Sequence, residues 1–207
     1  MPKSFLARTV ALVSFALILA LGAFWLLRGP AGPPGATGSG QAVIGGSFSL
    51  TDQFGHGRTD AEFRGKLMLV YFGFTHCPDL CPLDLQKMSR AMAALGPQAD
   101  QVVPIFITVD PARDTVEVMR DYVRPFDPRL VALTGDKAAI EQVARAYRVY
   151  FKPEPAAEGT EADSGDADYG VSHSSIIYLM DRDGRYRAHF GQEASVDDIV
   201  DAVAKSL

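Results

Sequence analysis

The chain has 207 residues, enough for one membrane anchor and one domain of ordinary size, and its 47% of hydrophobic residues can supply a packed core. Two cysteines are too few for a disulfide framework. The first 28 residues carry three basic side chains and no acidic one, so the rest of the chain has a formal charge of −8. An acidic domain without a basic patch repels phosphate backbones, which argues against nucleic-acid binding.

The N-terminal segment predicts a single membrane anchor. Residues 9–27 form an uncharged run of 19 residues, which as a helix would be about 28 Å long, close to the thickness of the bilayer hydrocarbon. Basic residues precede the run and only Arg28 follows it closely. The positive-inside rule therefore predicts that residues 1–8 are cytoplasmic and that the C-terminal domain lies outside the cytoplasm. The alternative is a cleaved signal peptide, but no clear small-x-small site ends the run before Trp25.

A tether separates the anchor from the domain. Residues 28–42 are rich in Gly, Pro and Ala and cannot build a core, so the globular domain is expected over residues 43–207. It begins with a predicted hairpin over Phe48–Asp60, whose turn contains two glycines. Residues 66–74 follow as a continuous apolar run, which is typical of a central strand buried on both faces.

Helical and strand patterns then alternate, which predicts an α/β fold with a parallel sheet and crossover helices. The predicted elements are a helix over 83–95, a strand over 102–110, a helix over 115–123, a strand over 130–135 and a helix over 136–150 that is capped by Asp136.

An acidic segment interrupts this pattern. Residues 152–170 contain six acidic residues against one lysine and almost no large apolar residue, which predicts a mobile loop. Residues 174–191 then predict a hairpin that turns at the sequence DRDG. Residues 195–207 predict a C-terminal helix with Ser195 as its cap.

The two cysteines, Cys77 and Cys81, come just after the predicted central strand and at the start of a helix. Ligands bind at this edge of open α/β sheets, and a helix N-terminus favours thiolate over thiol. Residues four apart share a helical face, with Cβ atoms about 5–6 Å apart. This spacing allows both sulfurs to meet one metal ion, or to form a disulfide after some backbone adjustment. A purely structural disulfide would close too small a loop to restrict the unfolded chain much, so the pattern favours a dithiol that changes state.

A metal needs further ligands, and the chain has four histidines. His56, His76 and His189 are best explained as exposed or supporting residues. His173 ends a long loop that contains the acidic segment, and it immediately precedes an apolar run. The loop could deliver it to the sheet edge, although spacing alone leaves its role open. Asp110 ends the second buried strand at the same expected edge as Cys77. The simpler explanation is that Asp110 and Asp114 only cap the turn and helix that follow.

Four sequence stretches, in order across residues 45–205, are distinctive: YFGFTHCPDLCP, ITVDPARDT, LTGD and VSHSSIIYLMDRDG. Together they resemble the Sco/SenC family of membrane-anchored copper proteins with a thioredoxin-like fold. The resemblance implies that Cys77, Cys81 and His173 bind copper, that Cys77 and Cys81 pair when oxidised, and that Asp110 influences the site from nearby. Ser172 stands where the family pattern has an aspartate, a difference that concerns the tuning of the site and not its ligands.

The chemistry of this ligand set suits copper, because soft thiolates favour Cu(I) and an added imidazole also accommodates Cu(II). The resemblance implies a copper chaperone that serves the CuA centre in subunit II of cytochrome c oxidase, anchored in the inner membrane with its domain in the periplasm. A periplasmic copper donor and a thiol reductant are the further partners expected. The alternative is a thiol-disulfide oxidoreductase that reduces the CuA cysteines before metal loading. A peroxiredoxin-like peroxidase is disfavoured, because the expected Thr/Cys context is missing.

Overall fold

The computed structural model describes residues 43–154 and 169–207. The predicted cytoplasmic N-terminus (1–8), anchor (9–27) and tether (28–42) lie outside the described residues, as does most of the acidic segment, and these interpretations stay predictions. In the described part of the chain, no helix combines the length and the hydropathy needed to cross a bilayer.

The described residues form a mixed α/β domain, which confirms the predicted class. The strands are β1 (Ser49–Asp52), β2 (Gly57–Thr59), β3 (Leu67–Gly73), β4 (Val102–Thr108), β5 (Val131–Thr134), β6 (Phe151–Glu154), β7 (Gly170–His173), β8 (Ile177–Met180) and β9 (Tyr186–Phe190). The α-helices are α1 (Leu80–Ala94), α2 (Val116–Val123), α3 (Lys137–Ala146) and α4 (Val196–Ala204).

Seven strands make one sheet in the order β2-β1-β5-β4-β3-β8-β9. Strands β3, β4 and β5 are parallel, as the alternating pattern predicts, whereas β1, β2, β8 and β9 pair antiparallel at the two sides. The predicted N-terminal hairpin is β1-β2, and the predicted C-terminal hairpin is β8-β9. All seven residues of β3 are buried, as expected for a central strand of a sheet that is covered on both faces.

The parallel pairing brings the ends of β3 and β4 to one edge of the sheet. Gly73 is in register with Thr108, and the Val109 amide donates to the Gly73 carbonyl over 2.8 Å. The segments that follow these two strands, the cysteine segment and the DPARDT segment, therefore begin side by side.

The helix caps follow the sequence, but α3 ends earlier than predicted. Asp136 Oδ1 accepts from the Ala139 amide at the start of α3 over 2.7 Å, and Ser195 caps α4. Helix α3 ends at Ala146 because Arg148 has a left-handed φ of 59°. The Val149 amide then donates to the Ala144 carbonyl, which closes a Schellman-type C-terminus.

The prediction of a loop over 152–170 was wrong at both ends. Residues 151–154 and 170–173 form β6 and β7, a separate antiparallel pair with Phe151 opposite His173 and Glu154 opposite Gly170. Pro153 is tolerated because a strand with a free edge need not donate at every residue. Composition masked this ladder, since the strand sequences FKPE and GVSH contain Gly, Pro, Lys and Glu, which are depleted in strands and are weak strand signals.

Candidate metal centre

The cysteine segment leaves β3 at Gly73 and enters α1 at Leu80. The Cys77 amide donates to the Phe74 carbonyl over 3.3 Å, closing a turn directly after the strand. Cys81 lies in the first turn of α1 and is fully buried, whereas Cys77 precedes the helix and is half-buried. The expectation that both cysteines share a helical face was therefore wrong for Cys77, because the chain is still turning at that residue.

Three potential ligand atoms converge at this turn. The Cys77 and Cys81 sulfurs and a ring nitrogen of His173 all lie within 4.8 Å of one another, and Cys81 Sγ is 3.4 Å from His173 Nε2. Metal–sulfur bonds of about 2.3 Å and a metal–nitrogen bond of about 2.0 Å separate such ligand atoms by about 3.5–4 Å. The three side chains thus fit one soft or borderline metal ion with only small movements, and both thiols are free.

The imidazole of His173 is held in a ligating orientation. His173 Nδ1 is 3.1 Å from the Ser174 carbonyl oxygen, and since a carbonyl can only accept, Nδ1 carries the hydrogen and Nε2 is left with a free lone pair. The ring packs edge-on against Phe74 and Tyr71, with centroids 5.7 and 6.3 Å away. His173 is the last residue of β7, so the β6-β7 ladder holds it in place. The sequence had predicted instead that it lies at the end of a loop.

Burial keeps the inner ligands neutral in the absence of a metal. Burial, with a further contribution from neighbouring Cys77, raises the pKa of the Cys81 thiol to about 12. Burial likewise lowers the pKa of His173 below its ordinary value. The protonated Cys81 thiol can then donate to His173 Nε2, and Cys81 and His173 would have to give up this shared proton to hold a metal.

Gly73 makes room for the buried sulfur. A Cβ at this position would lie 2.8 Å from Cys81 Sγ and 3.0 Å from the Tyr71 ring. Real Cβ atoms do not approach that closely, so any side chain at position 73 would have to displace the Cys81 thiol or the strand beneath it. Sequence reasoning placed Gly73 in the central strand without assigning it a role, although a glycine inside a strand marks a close approach of another group.

Asp114 ties the cysteine turn to the neighbouring strand. Its carboxylate is fully buried and accepts from the Thr75 amide (3.1 Å), from the Thr75 hydroxyl (2.6 Å) and from the Thr108 hydroxyl (2.5 Å). Burial raises the pKa of Asp114, and the threonine hydrogen bonds oppose that rise. Helix α2 is capped instead by Thr115, so the simpler explanation of Asp114 as a helix cap was wrong.

Asp110 lies at the same sheet edge but outside the three-residue cluster. Its carboxylate accepts from Arg113 Nε over 2.5 Å and from the Tyr169 hydroxyl over 2.6 Å. The Arg113 guanidinium lies 3.7 Å from the Tyr169 ring centroid and 6.0 Å from that of Phe74, and Phe74 packs on His173. Asp110 therefore reaches the candidate ligands through intermediates, and an influence on copper stays a prediction.

The remaining histidines do not belong to the three-residue cluster, as the sequence indicated. The His56 side chain is 75% exposed and His189 is also exposed. The His76 side chain is 47% exposed, with Nδ1 3.1 Å from the Thr75 hydroxyl.

Comparison with known proteins decides the family. The SCO1/SenC family model matches residues 36–207, which is most of the chain. The chain belongs to the SCO1/SenC family. The resemblance of the four sequence stretches is thus confirmed.

Individual Sco proteins agree with this assignment. The human mitochondrial SCO1 homolog is 42% identical over 170 residues, which cover 81% of this chain and 54% of the human protein; the chain thus spans about half the length of that relative. Bradyrhizobium japonicum ScoI, solved with copper bound, is 44% identical with a TM-score of 0.70, over 79% of this chain and 99% of that chain. BsSco is a member of the Sco family of cytochrome c oxidase assembly proteins, and a disulfide switch was identified in it. It is 23% identical to this chain with a TM-score of 0.61, over 79% of this chain and 93% of that chain, and it shares the fold. These similarities confirm the thioredoxin-like Sco fold.

Sequence reasoning missed three further polar residues beside the centre of this SCO1/SenC chain. Tyr71 is fully buried in β3, Asp84 is buried in α1, and Ser175 follows β7. Helical spacing places Asp84 on the same face as the buried Leu85 and Met88. A carboxylate on an apolar helical face was the available signal, because buried charge needs a partner.

Proposed function

We propose that the chain is a copper metallochaperone that binds Cu(I) and Cu(II) through Cys77, Cys81 and His173 and delivers copper to the CuA centre of cytochrome c oxidase subunit II during assembly. The convergence of two sulfurs and one imidazole nitrogen within 4.8 Å carries the proposal. Copper bound to ScoI, a protein 44% identical to this chain, supports the choice of metal, and the role of BsSco's family in oxidase assembly supports the destination.

Three ligands suit a carrier better than a permanent cofactor site. Soft thiolates retain Cu(I), the imidazole adds affinity for Cu(II), and an incomplete coordination shell lets an acceptor ligand attack the metal. Cys77 is the more accessible sulfur and Cys81 is fully buried. An acceptor protein would therefore approach the copper from the Cys77 side, while Cys81 and His173 hold it from the buried side.

The proposed setting follows from the segments that precede the domain. Residues 9–27 would anchor the chain in the inner membrane, and residues 28–42 would let the domain of residues 43–207 stand off the bilayer on the periplasmic side. There the dithiol would oxidise to a Cys77–Cys81 disulfide, so a thiol reductant and a periplasmic copper donor would be needed before each loading.

A thiol-disulfide oxidoreductase acting on the CuA cysteines is the second candidate. The Cys81 amide donates to Cys77 Sγ over 3.4 Å, so the more accessible sulfur lies directly beside the backbone of the buried cysteine. Cys77 thiolate would attack the target disulfide and form a mixed disulfide. Cys81 would then attack the Cys77 sulfur of the mixed disulfide and release the target with both of its thiols reduced. The target would gain two electrons and two protons, and this chain would be left with a Cys77–Cys81 disulfide.

One transfer experiment tests the first function and separates it from the second. The full chain, purified in detergent and loaded with copper, is mixed with the metal-free CuA domain of subunit II, whose cysteines are either reduced or oxidised. Metal is followed by spectroscopy and thiols by alkylation and mass measurement. Copper reaching the reduced CuA domain supports the chaperone, whereas thiol transfer without metal transfer supports the oxidoreductase.

His173→Ala sharpens this experiment. We expect it to weaken Cu(II) binding by about 100-fold or more, since removal of outer partners alone costs about 10–100-fold, while thiol exchange continues. Cys77→Ser and Cys81→Ser should each abolish both copper loading and exchange. If His173→Ala retained copper as tightly as the parent, the three-ligand site would be wrong.

A further inference from the structure

Three polar side chains lead from beneath the metal centre into helix α1. The buried Tyr71 hydroxyl lies 3.2 Å from Ser175 Oγ, and Ser175 Oγ donates to Asp84 Oδ2 over 2.6 Å. Because a carboxylate only accepts, Ser175 uses its single hydrogen on Asp84, and the Tyr71 hydroxyl must donate to Ser175. We call this directed chain of Tyr71, Ser175 and Asp84 the Asp84 lock.

The lock joins the two segments that carry the inner ligands. Ser175 lies two residues after His173, and Asp84 lies three residues after Cys81 on the same buried face of α1. These segments are about ninety residues apart in the sequence; the Ser175–Asp84 bond spans 91 positions. Its length places it among charge-assisted hydrogen bonds, which are stronger than neutral ones.

The buried carboxylate is itself supported. The Asp84 side chain is only 7% exposed, and its Oδ1 lies 3.5 Å from Lys87 Nζ on the next turn of α1. Lys87 in turn donates to the Gln192 carbonyl over 2.9 Å. Asp84 thus has a counter-ion on one oxygen and a hydroxyl donor on the other, which is what a buried charge requires.

We propose that Asp84, acting through Ser175 with Tyr71 beneath it, is a positioning residue that holds His173 against Cys81 whether or not copper is bound. The inference rests on the proposed function, in which Cys81 and His173 are ligands. In the metal-free protein the Cys81 thiol also contacts His173 Nε2, but that contact ends once both atoms ligate a metal. The lock uses no ligand atom, so it persists in both states and keeps His173 in place while copper enters or leaves.

Loss of the lock should affect the two copper ions differently. Two thiolates account for most of the affinity for Cu(I), whereas Cu(II) depends more on the imidazole. Outer partners of metal ligands typically contribute about 10–100-fold to affinity. A misplaced His173 therefore predicts a loss of this size for Cu(II) and a smaller loss for Cu(I).

The test uses the full chain in detergent with its thiols reduced. Affinities for Cu(I) and Cu(II) are measured by competition with chelators for the parent, Ser175→Ala and Asp84→Ala. In the metal-free proteins, the rate at which diethyl pyrocarbonate modifies His173 is measured by peptide mass mapping, with the exposed His56 as internal reference. We expect about 10–100-fold weaker Cu(II) binding, a smaller change for Cu(I) and several-fold faster modification of His173 in both variants.

Two matched variants control for structural damage. Asp84→Asn keeps an oxygen that accepts from Ser175 and should stay close to the parent. Ser89→Ala removes a different hydroxyl of α1, the Ser89 Oγ, which accepts from the Asp127 amide in a neighbouring loop. This variant should leave copper binding unchanged. Parent-rate modification of His173 in Ser175→Ala, or equal losses for both copper ions, would overturn the inference. A parent that bound no copper would defeat the proposed function, and the modification rates alone would then decide whether the lock positions His173.

Discussion

At the scale of single residues, the metal centre depends on Gly73, because this residue has no side chain. Cys81 can be buried against β3 only because Gly73 has no Cβ to meet its sulfur. The tightness of this contact is a packing property, and cores resist even one added methyl group when the neighbours cannot move. Here the neighbours are the Cys81 thiol and the rings of Tyr71 and Phe106, all fully buried.

Gly73→Ala should therefore disturb both stability and metal binding. We expect the free energy of unfolding to fall by about 1–3 kcal/mol, the usual cost of overpacking, and copper affinity to fall because Cys81 is displaced. Urea unfolding and chelator competition measure the two effects. Gly57→Ala is the control, since a Cβ there meets nothing within 4 Å. Equal behaviour of the two variants would contradict the steric role of Gly73.

At the scale of elements, the centre is assembled where strand ends meet. The turn after β3 carries Cys77, helix α1 carries Cys81 and strand β7 carries His173. Asp114 ties the first of these to β4 through Thr75 and Thr108. A buried acceptor that serves three donors is costly to remove, because each abandoned donor loses a partner without regaining water.

Asp114→Ala should weaken this connection. We expect a loss of at least about 1–3 kcal/mol in the free energy of unfolding, the cost of leaving buried donors unsatisfied, with a smaller loss for Asp114→Asn, which keeps an acceptor oxygen. Urea denaturation of the metal-free protein measures it. Asp136→Ala, which removes only an exposed helix cap, should cost about 1 kcal/mol. A smaller effect for Asp114→Ala than for Asp136→Ala would show that the tie is unimportant.

At the scale of the whole molecule, the domain and the preceding segment have separate tasks in the proposed function. The match to ScoI covers 99% of that solved chain but 79% of this one, so the shared fold does not need the whole of this sequence. The uncharged run over residues 9–27 would hold the protein at the membrane, and the domain would bind and transfer copper.

Removal of residues 1–42 should move the protein from the membrane fraction to the soluble fraction, because it removes the only predicted anchor. Copper affinity should stay unchanged, while maturation of the oxidase should fall for lack of membrane tethering. Fractionation, copper titration and CuA content measure these effects. Removal of residues 29–42 alone is the control and should leave the protein in the membrane. If the mature protein produced from the full chain began after residue 27, that result would instead establish a cleaved signal peptide.

Much of the fold was accessible to sequence reasoning because its signals are local. The apolar run of β3, the caps Asp136 and Ser195, and the hairpin β8-β9 each depend on residues within one element or one turn. Strands β6 and β7 were missed because their residues are polar and their pairing partners are separated by an acidic segment. Cys77 was placed on a helix because local spacing cannot show where a turn ends and a helix begins.

The sequence by itself determined the α/β class, the dithiol at the end of the central strand and, through its motifs, the family. Only the tertiary structure decided that His173 meets Cys81, 92 positions earlier, and that Gly73, Asp84 and Asp114 support the meeting. The physical reason is that periodicity and capping are properties of neighbouring residues. Convergence of distant side chains depends instead on strand order, on the β6-β7 ladder and on close packing, which no single stretch of sequence encodes.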